Sequence, residues 1–171
     1  MNLELQTLTW AQAASLQTDA LIVLVSQKQA KTTGLLATML AQAEKSGDFN
    51  PAAGQCMLWW KPPGLKTQRL VFAGTGQGRA QDVRQAVTLA VQAIKKSKSA
   101  KVSICLQDSH LPHLVVAAQA AADAAYVYTA TKPSAKASLI SKVTLGVPDA
   151  KLAEPAFAMA CAQIAGVSLA R

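Results

Sequence analysis

Two kinds of hydrophobic pattern alternate along the chain: runs in which nearly every position is apolar, and stretches in which apolar positions recur every three or four residues. "DALIVLVS" (19–26) is of the first kind, and a continuous Val/Ile/Leu run predicts a strand covered on both faces. "LLATMLAQAEKSG" (35–47) is of the second, with Leu36, Met39, Leu40 and Ala43 on one helical face and Gly47 as its stop signal. "GQCMLWWKPPG" (54–64) predicts a strand ended by Pro62 and Pro63, and "QRLVFAG" (68–74) the next one. The short Gly-containing link between them predicts a hairpin. A helix follows over 80–98, with its apolar stripe at Val83, Ala86, Val87, Ala90 and Ile94, and then a buried strand over 101–107. The alanine-rich segment 109–129 predicts a helix, with Ser109 as its N-cap and Pro112 tolerated in the first turn. A last strand is expected over 138–147 and a last helix over 151–171.

Strands alternating with helices predict a three-layer α/β fold: a mixed, mostly parallel sheet with helices on both faces and one antiparallel region around 54–74. At 171 residues and 51% hydrophobic content the chain can bury a sizeable core. Much of that content is alanine, and no stretch of about 18 consecutive strongly apolar residues, the length of a spanning helix, is apparent. "MNLELQTLTW" has neither a basic leader nor an apolar core segment, so a soluble protein with a cytoplasmic address is expected. Cys56, Cys105 and Cys161 are odd in number and widely spaced, which predicts buried, reduced thiols rather than disulfides or a CxxC site.

Three features invite a chemical reading. Gly74, Gly76 and Gly78 lie between a strand and a helix, where backbone N–H groups and the helix dipole can hold a phosphate. The spacing departs from the dinucleotide fingerprint, because Arg79 stands at the position of the third glycine and no acidic partner follows about 20 residues on, and the Walker lysine is missing. The alternative is a strand-to-helix turn that uses the positive φ open to glycine. A net charge of +8 and the cluster Lys95, Lys96, Lys98 and Lys101 raise nucleic acid as a partner, although lysines also favour the negative end of a helix. Asp108, His110 and His113 carry metal-ligand chemistry, but Pro112 and the loop-to-helix position suit surface histidines. Trp59 and Trp60 must face opposite sides of a strand, so only one can enter the core. No nucleophile, base or carboxylate set is discernible, so no catalytic and no metal residue is assigned to this chain.

The order of elements resembles the N-terminal domain of the cytosolic leucyl aminopeptidases. The likeness is carried by "DALIVLVS", by "GQCMLWW" with "QRLVFAGTGQG", by "VRQAVTLAVQAIKKSK", by "AAYVYTATKPSAK" and by "AQIAGVSLAR". The resemblance implies a macro-domain-like fold over 1–150 and a connector helix over 151–171 leading toward a C-terminal catalytic domain. It implies that this domain is non-catalytic and contributes to assembly and regulation of a homohexamer. Two divalent ions, zinc or manganese, would belong to the catalytic domain, where N-terminal residues are hydrolysed from peptides. Two other readings stay open: a free-standing module for ADP-ribose or a nucleotide, and a DNA-binding module. No membrane partner is expected.

Overall fold

The computed structural model describes residues 1–28, 32–108, 110–127 and 138–169. In chain order the elements are β1 (Asn2–Thr7), α1 (Trp10–Ala13), β2 (Ala20–Ser26), α2 (Leu35–Ser46), β3 (Cys56–Trp60), β4 (Arg69–Gly76), α3 (Ala80–Lys95), β5 (Lys101–Cys105), α4 (Leu111–Ala125), β6 (Lys142–Val147) and α5 (Ala150–Leu169). The six strands form one sheet in the order β1-β6-β5-β2-β4-β3. Every neighbouring pair is parallel except β3 with β4, which run antiparallel from Cys56↔Ala73 to Trp60↔Arg69. The expected three-layer α/β arrangement and its hairpin are therefore present.

The alternation of side chains along each strand explains the layers. Ala20, Ile22 and Leu24 of β2 join Val71, Ala73, Val102, Ile104, Val143 and Leu145 under α3, α4 and α5. Leu21, Val23 and Val25 point the other way, with Leu70, Phe72 and Cys105, toward α1 and α2. The helix stripes read from the sequence are buried: Leu36, Met39, Leu40 and Ala43 on α2, and Val83, Ala86, Val87, Ala90 and Ile94 on α3. Gly47 ends α2 at φ 82°, its N–H donating to the carbonyls of Ala43 and Glu44, as a left-handed C-cap should.

Several expectations are corrected. The strand β1 was not anticipated, although "NLELQT" alternates apolar and polar residues. Leu3 and Leu5 pack on the helix-covered face, and the strand pairs along its whole length with β6. Strand β6 begins at Lys142 rather than 138, since Leu139 is exposed and the Ser141 and Lys142 N–H groups donate to the Ala100 carbonyl. Helix α3 stops at Lys95, and α4 ends at Ala125 where Tyr126 turns extended. Pro112 does sit in the first turn of α4, whereas the Ser109 cap lies outside the described residues. Of the three thiols only Cys105 is buried. Cys56 is exposed, because β3 is an edge strand whose two ends reach solvent, and Cys161 is intermediate, on α5, which buries little beyond Ala153, Ala156 and Ala160. Trp59 packs against the core, while Trp60 is 56% exposed with the Arg69 guanidinium 4.7 Å above its ring.

Helix α5 brings another correction. An 18-residue window of it reaches a mean hydropathy of 1.4, long and apolar enough by length and composition to cross a membrane, yet only 17% of that window is buried. Its larger apolar residues are interspersed with alanine and a few polar positions, so no run of consecutive strongly apolar residues marks it in the sequence.

Val71, on β4, is fully buried between β2 and β3. Val71→Asp places a carboxylate there with no partner, and the expected loss is roughly 4 kcal/mol or more. An unchanged melting temperature in a scanning calorimeter would contradict this placement.

Candidate functional site

The carboxyl ends of parallel strands β2, β4 and β5 open into a cavity of about 360 Å³ lined by Ser26, Lys28, Thr75, Gln77, Gly78 and His113, among others. Parallel α/β sheets bind ligands at this end, because the loops that leave the strands converge there. Only Gly78 among the three sequence-predicted glycines lines it; Gly74 and Gly76 belong to β4 itself.

The glycine N–H groups are all engaged. Gly74 donates to the Gln55 carbonyl at 2.9 Å, Gly76 to the Pro51 carbonyl at 2.9 Å and Gly78 to the Thr75 carbonyl at 2.8 Å. Their lack of side chains has a packing cause. A Cβ on Gly74 would overlap the Ala52 carbonyl oxygen and stand 2.8 Å from the Pro51 carbonyl carbon, while Gly76 is left-handed at φ 53° with Ala53 N 3.0 Å from such a Cβ. Gly78 is also left-handed, at φ 78°, but a Cβ there would meet only Ser26 Oγ, at an ordinary contact distance of 3.9 Å. The first turn of α3 holds its own anion: Asp82, 4% exposed, accepts from Arg79 Nε at 3.0 Å and Arg79 Nη2 at 3.4 Å. That carboxylate occupies the position where the helix dipole would favour a bound phosphate.

The hydroxyls that line the cavity also serve the backbone. Ser26 Oγ donates to the Gly76 carbonyl and Thr75 Oγ1 to the Val25 carbonyl, both at 3.2 Å. Gln77 Nε2 donates to Gln27 Oε1 at 2.9 Å. Gln107 contributes a buried side-chain nitrogen with no partner among the described residues. Of the trio Asp108, His110 and His113, the structure pairs His113 Nδ1 with Asp108 Oδ1 at 3.4 Å, while the two imidazoles meet at a tilt of 51° with 4.4 Å between centroids. Among the described residues no group of three or more His, Cys, Asp or Glu is arranged to hold a metal ion, so these residues do not fit a divalent-metal centre. Lys28, Thr75, Gln77 and Gln107 were not singled out from sequence. The available signal was position alone, since each lies at or just after the end of a predicted strand.

The lysine cluster lies at the opposite, N-terminal edge of the strands. Lys95 Nζ donates to the Ala124 carbonyl at 2.7 Å and the Tyr126 carbonyl at 2.8 Å, closing the last turn of α4, whose final carbonyls lack helical partners. Lys96, Lys98 and Lys101 are exposed.

Comparison with known proteins supplies what the site geometry does not. The family model of the cytosol aminopeptidase family, N-terminal domain, matches residues 19–135. The chain belongs to that family. A protein named "Probable cytosol aminopeptidase" from Acidovorax ebreus is 39% identical over 172 residues, covering 100% of this chain and 35% of that protein. One of the same name from Verminephrobacter eiseniae is 38% identical and matched over 33% of its own length. The domain thus spans about a third of the curated relatives it matches. Among solved structures, a variant of tomato leucine aminopeptidase superposes with a TM-score of 0.75 at 17% identity, covering 100% of this chain and 37% of that one. The bottromycin maturation enzyme BotP, solved in complex with Mn, gives a TM-score of 0.58 at 16% identity over 86% of this chain and 30% of its own. At such identities these two likenesses establish the fold.

Two predictions follow from this geometry. Gly74→Ala is expected to cost about 3 kcal/mol, the upper end for overpacking, and Gly78→Ala only about 1 kcal/mol of left-handed strain. Urea midpoints in the reverse order would refute the packing account. Burial pushes the Cys105 thiol up to about 12 from an ordinary 9.0. Above pH 9 the unfolded chain releases a proton that the folded chain keeps, so stability falls as pH rises from 9 toward 12, by at most about 1.4 kcal/mol per pH unit. Cys105→Ala should flatten the unfolding free energy between pH 9 and about 10.5 relative to the parent, and equal slopes would contradict it.

Proposed function

We propose that this chain is the non-catalytic N-terminal part of a metal-dependent aminopeptidase, and that hydrolysis of N-terminal residues takes place on polypeptide beyond Arg171. One observation carries the reading: relatives named as cytosol aminopeptidases match across 100% of this chain, while it covers only 35% of the first. In this reading α5 is the connector between the two parts, and the two divalent ions, zinc or manganese, sit in the second. The assembled enzyme is a cytoplasmic homohexamer, to whose subunit contacts this domain contributes.

The two other sequence readings gain no support. An ADP-ribose or nucleotide site would draw on glycine N–H donors that already serve Gln55, Pro51 and Thr75. A DNA-binding patch loses Lys95 to the end of α4.

The test compares the 171-residue chain with the longer product of the same gene, each supplied with zinc or manganese and leucyl p-nitroanilide. Turnover is expected from the longer product, lost on chelation, with none above blank from the shorter chain. Chelator-sensitive turnover by the 171-residue chain, free of host peptidases, would overturn the proposal.

A further inference from the structure

Helix α5 is apolar nearly all round. Between Leu152 and Leu169 its only charged side chain is Glu154, and yet it buries only Ala153, Ala156 and Ala160. A helix with that composition belongs inside something larger. Leu152, Met159 and Val167 are 61%, 51% and 48% exposed, and at about 100° per residue they fall within an arc of roughly 80°. Beside them the first half of α5 and the start of α4 enclose a groove of about 530 Å³, lined by Leu111, Pro112, Val115, Val116, Pro155 and Met159 with Ala156 at its floor. No charged side chain lines it. Contiguous exposed apolar surface of this kind marks an interaction site.

We infer that this groove and the adjoining stripe are covered by the catalytic part of the same protein, the polypeptide that follows Arg171; the inference rests on the reading given under Proposed function. The relatives place the larger share of their length outside the matched region, so a partner of sufficient size is covalently attached and always present. The stripe also runs along α5 to Val167, close to the point from which that polypeptide departs. Lipid is a poorer occupant. Immersing α5 in hydrocarbon would strip Ala153, Ala156 and Ala160 from the core they share with the sheet and would carry Glu154 along with them. A second copy of this domain brings another +8 of charge against the first, which opposes close approach.

A benzophenone side chain at Met159 of the longer gene product, irradiated in the presence of vesicles of the host's lipids, reads the occupant directly, and Leu152 serves as a second attachment point. Both positions are more than half exposed, so neither replacement threatens the fold. The expected adduct joins position 159 or 152 to peptides from beyond residue 171. Adducts to residues 1–171 of another copy, adducts to lipid, or a probe quenched only by solvent at both positions would each overturn the inference. Aminopeptidase turnover measured on the unirradiated sample separates the two ideas. An active enzyme without the expected adduct sinks the docking surface alone, and an inactive protein that gives the adduct sinks the enzymatic reading alone.

Discussion

Strands β5, β2 and β4 lie at the middle of the sheet with helices on both sides, and from Ala20 to Val25 no residue of β2 is more than 5% exposed. Each large aliphatic side chain taken out of water there contributes about 1.5–3 kcal/mol, and the parallel ladder leaves no side of the strand to solvent. The rest of the fold follows from covering both faces at once. Large side chains from α2, α1 and the Phe49 region cover one. The other is covered by three helices whose buried positions are mostly alanine, with α4 alone contributing Ala117, Ala118, Ala120, Ala121, Ala124 and Ala125.

That alanine layer has a cost and a use. Small side chains let α3, α4 and α5 lie close to the sheet and to one another, but each buries little apolar area, so the layer depends on accurate backbone placement. Polar ties help to supply it. Lys95 clamps the end of α4, Gln119 Nε2 donates to Gln163 Oε1 at 2.7 Å between α4 and α5, and Arg84 Nη2 donates to Gln119 Oε1 at 3.0 Å between α3 and α4. These bonds join exposed or half-buried groups, so they fix register more than they add stability. The last helix of the layer keeps most of its apolar surface uncovered, which makes α5 the natural place for the domain to continue into further structure.

The crossing of residues 51–55 over β4 shows how packing and candidate chemistry compete for one sequence feature. A glycine-rich strand end can cradle a phosphate only where its N–H groups point into open space. Here the neighbouring segment takes the Gly74 and Gly76 donors and fills the space a Cβ would need, while Asp82 supplies the helix dipole with its own counter-charge. The motif is the same in either case, and only its surroundings differ.

Periodicity was sufficient for what depends on local pattern. The continuous runs at 19–26 and 101–107, the helical stripes of α2 and α3, the hairpin and the opposed faces of Trp59 and Trp60 were all legible, because two-sided burial and helical amphipathicity leave marks in consecutive residues. Family membership was legible as well, in short stretches spread over the chain. Tertiary structure decided what depends on residues far apart in sequence. It recruited "NLELQT" as a strand beside β6, left Cys56 at an exposed edge, turned Lys95 toward the end of α4 and gathered Lys28, Thr75, Gln77 and Gln107 around one cavity. The physical reason is that an edge strand, a helix cap and a pocket are defined by which neighbour arrives, and the pattern within a segment does not encode its neighbour.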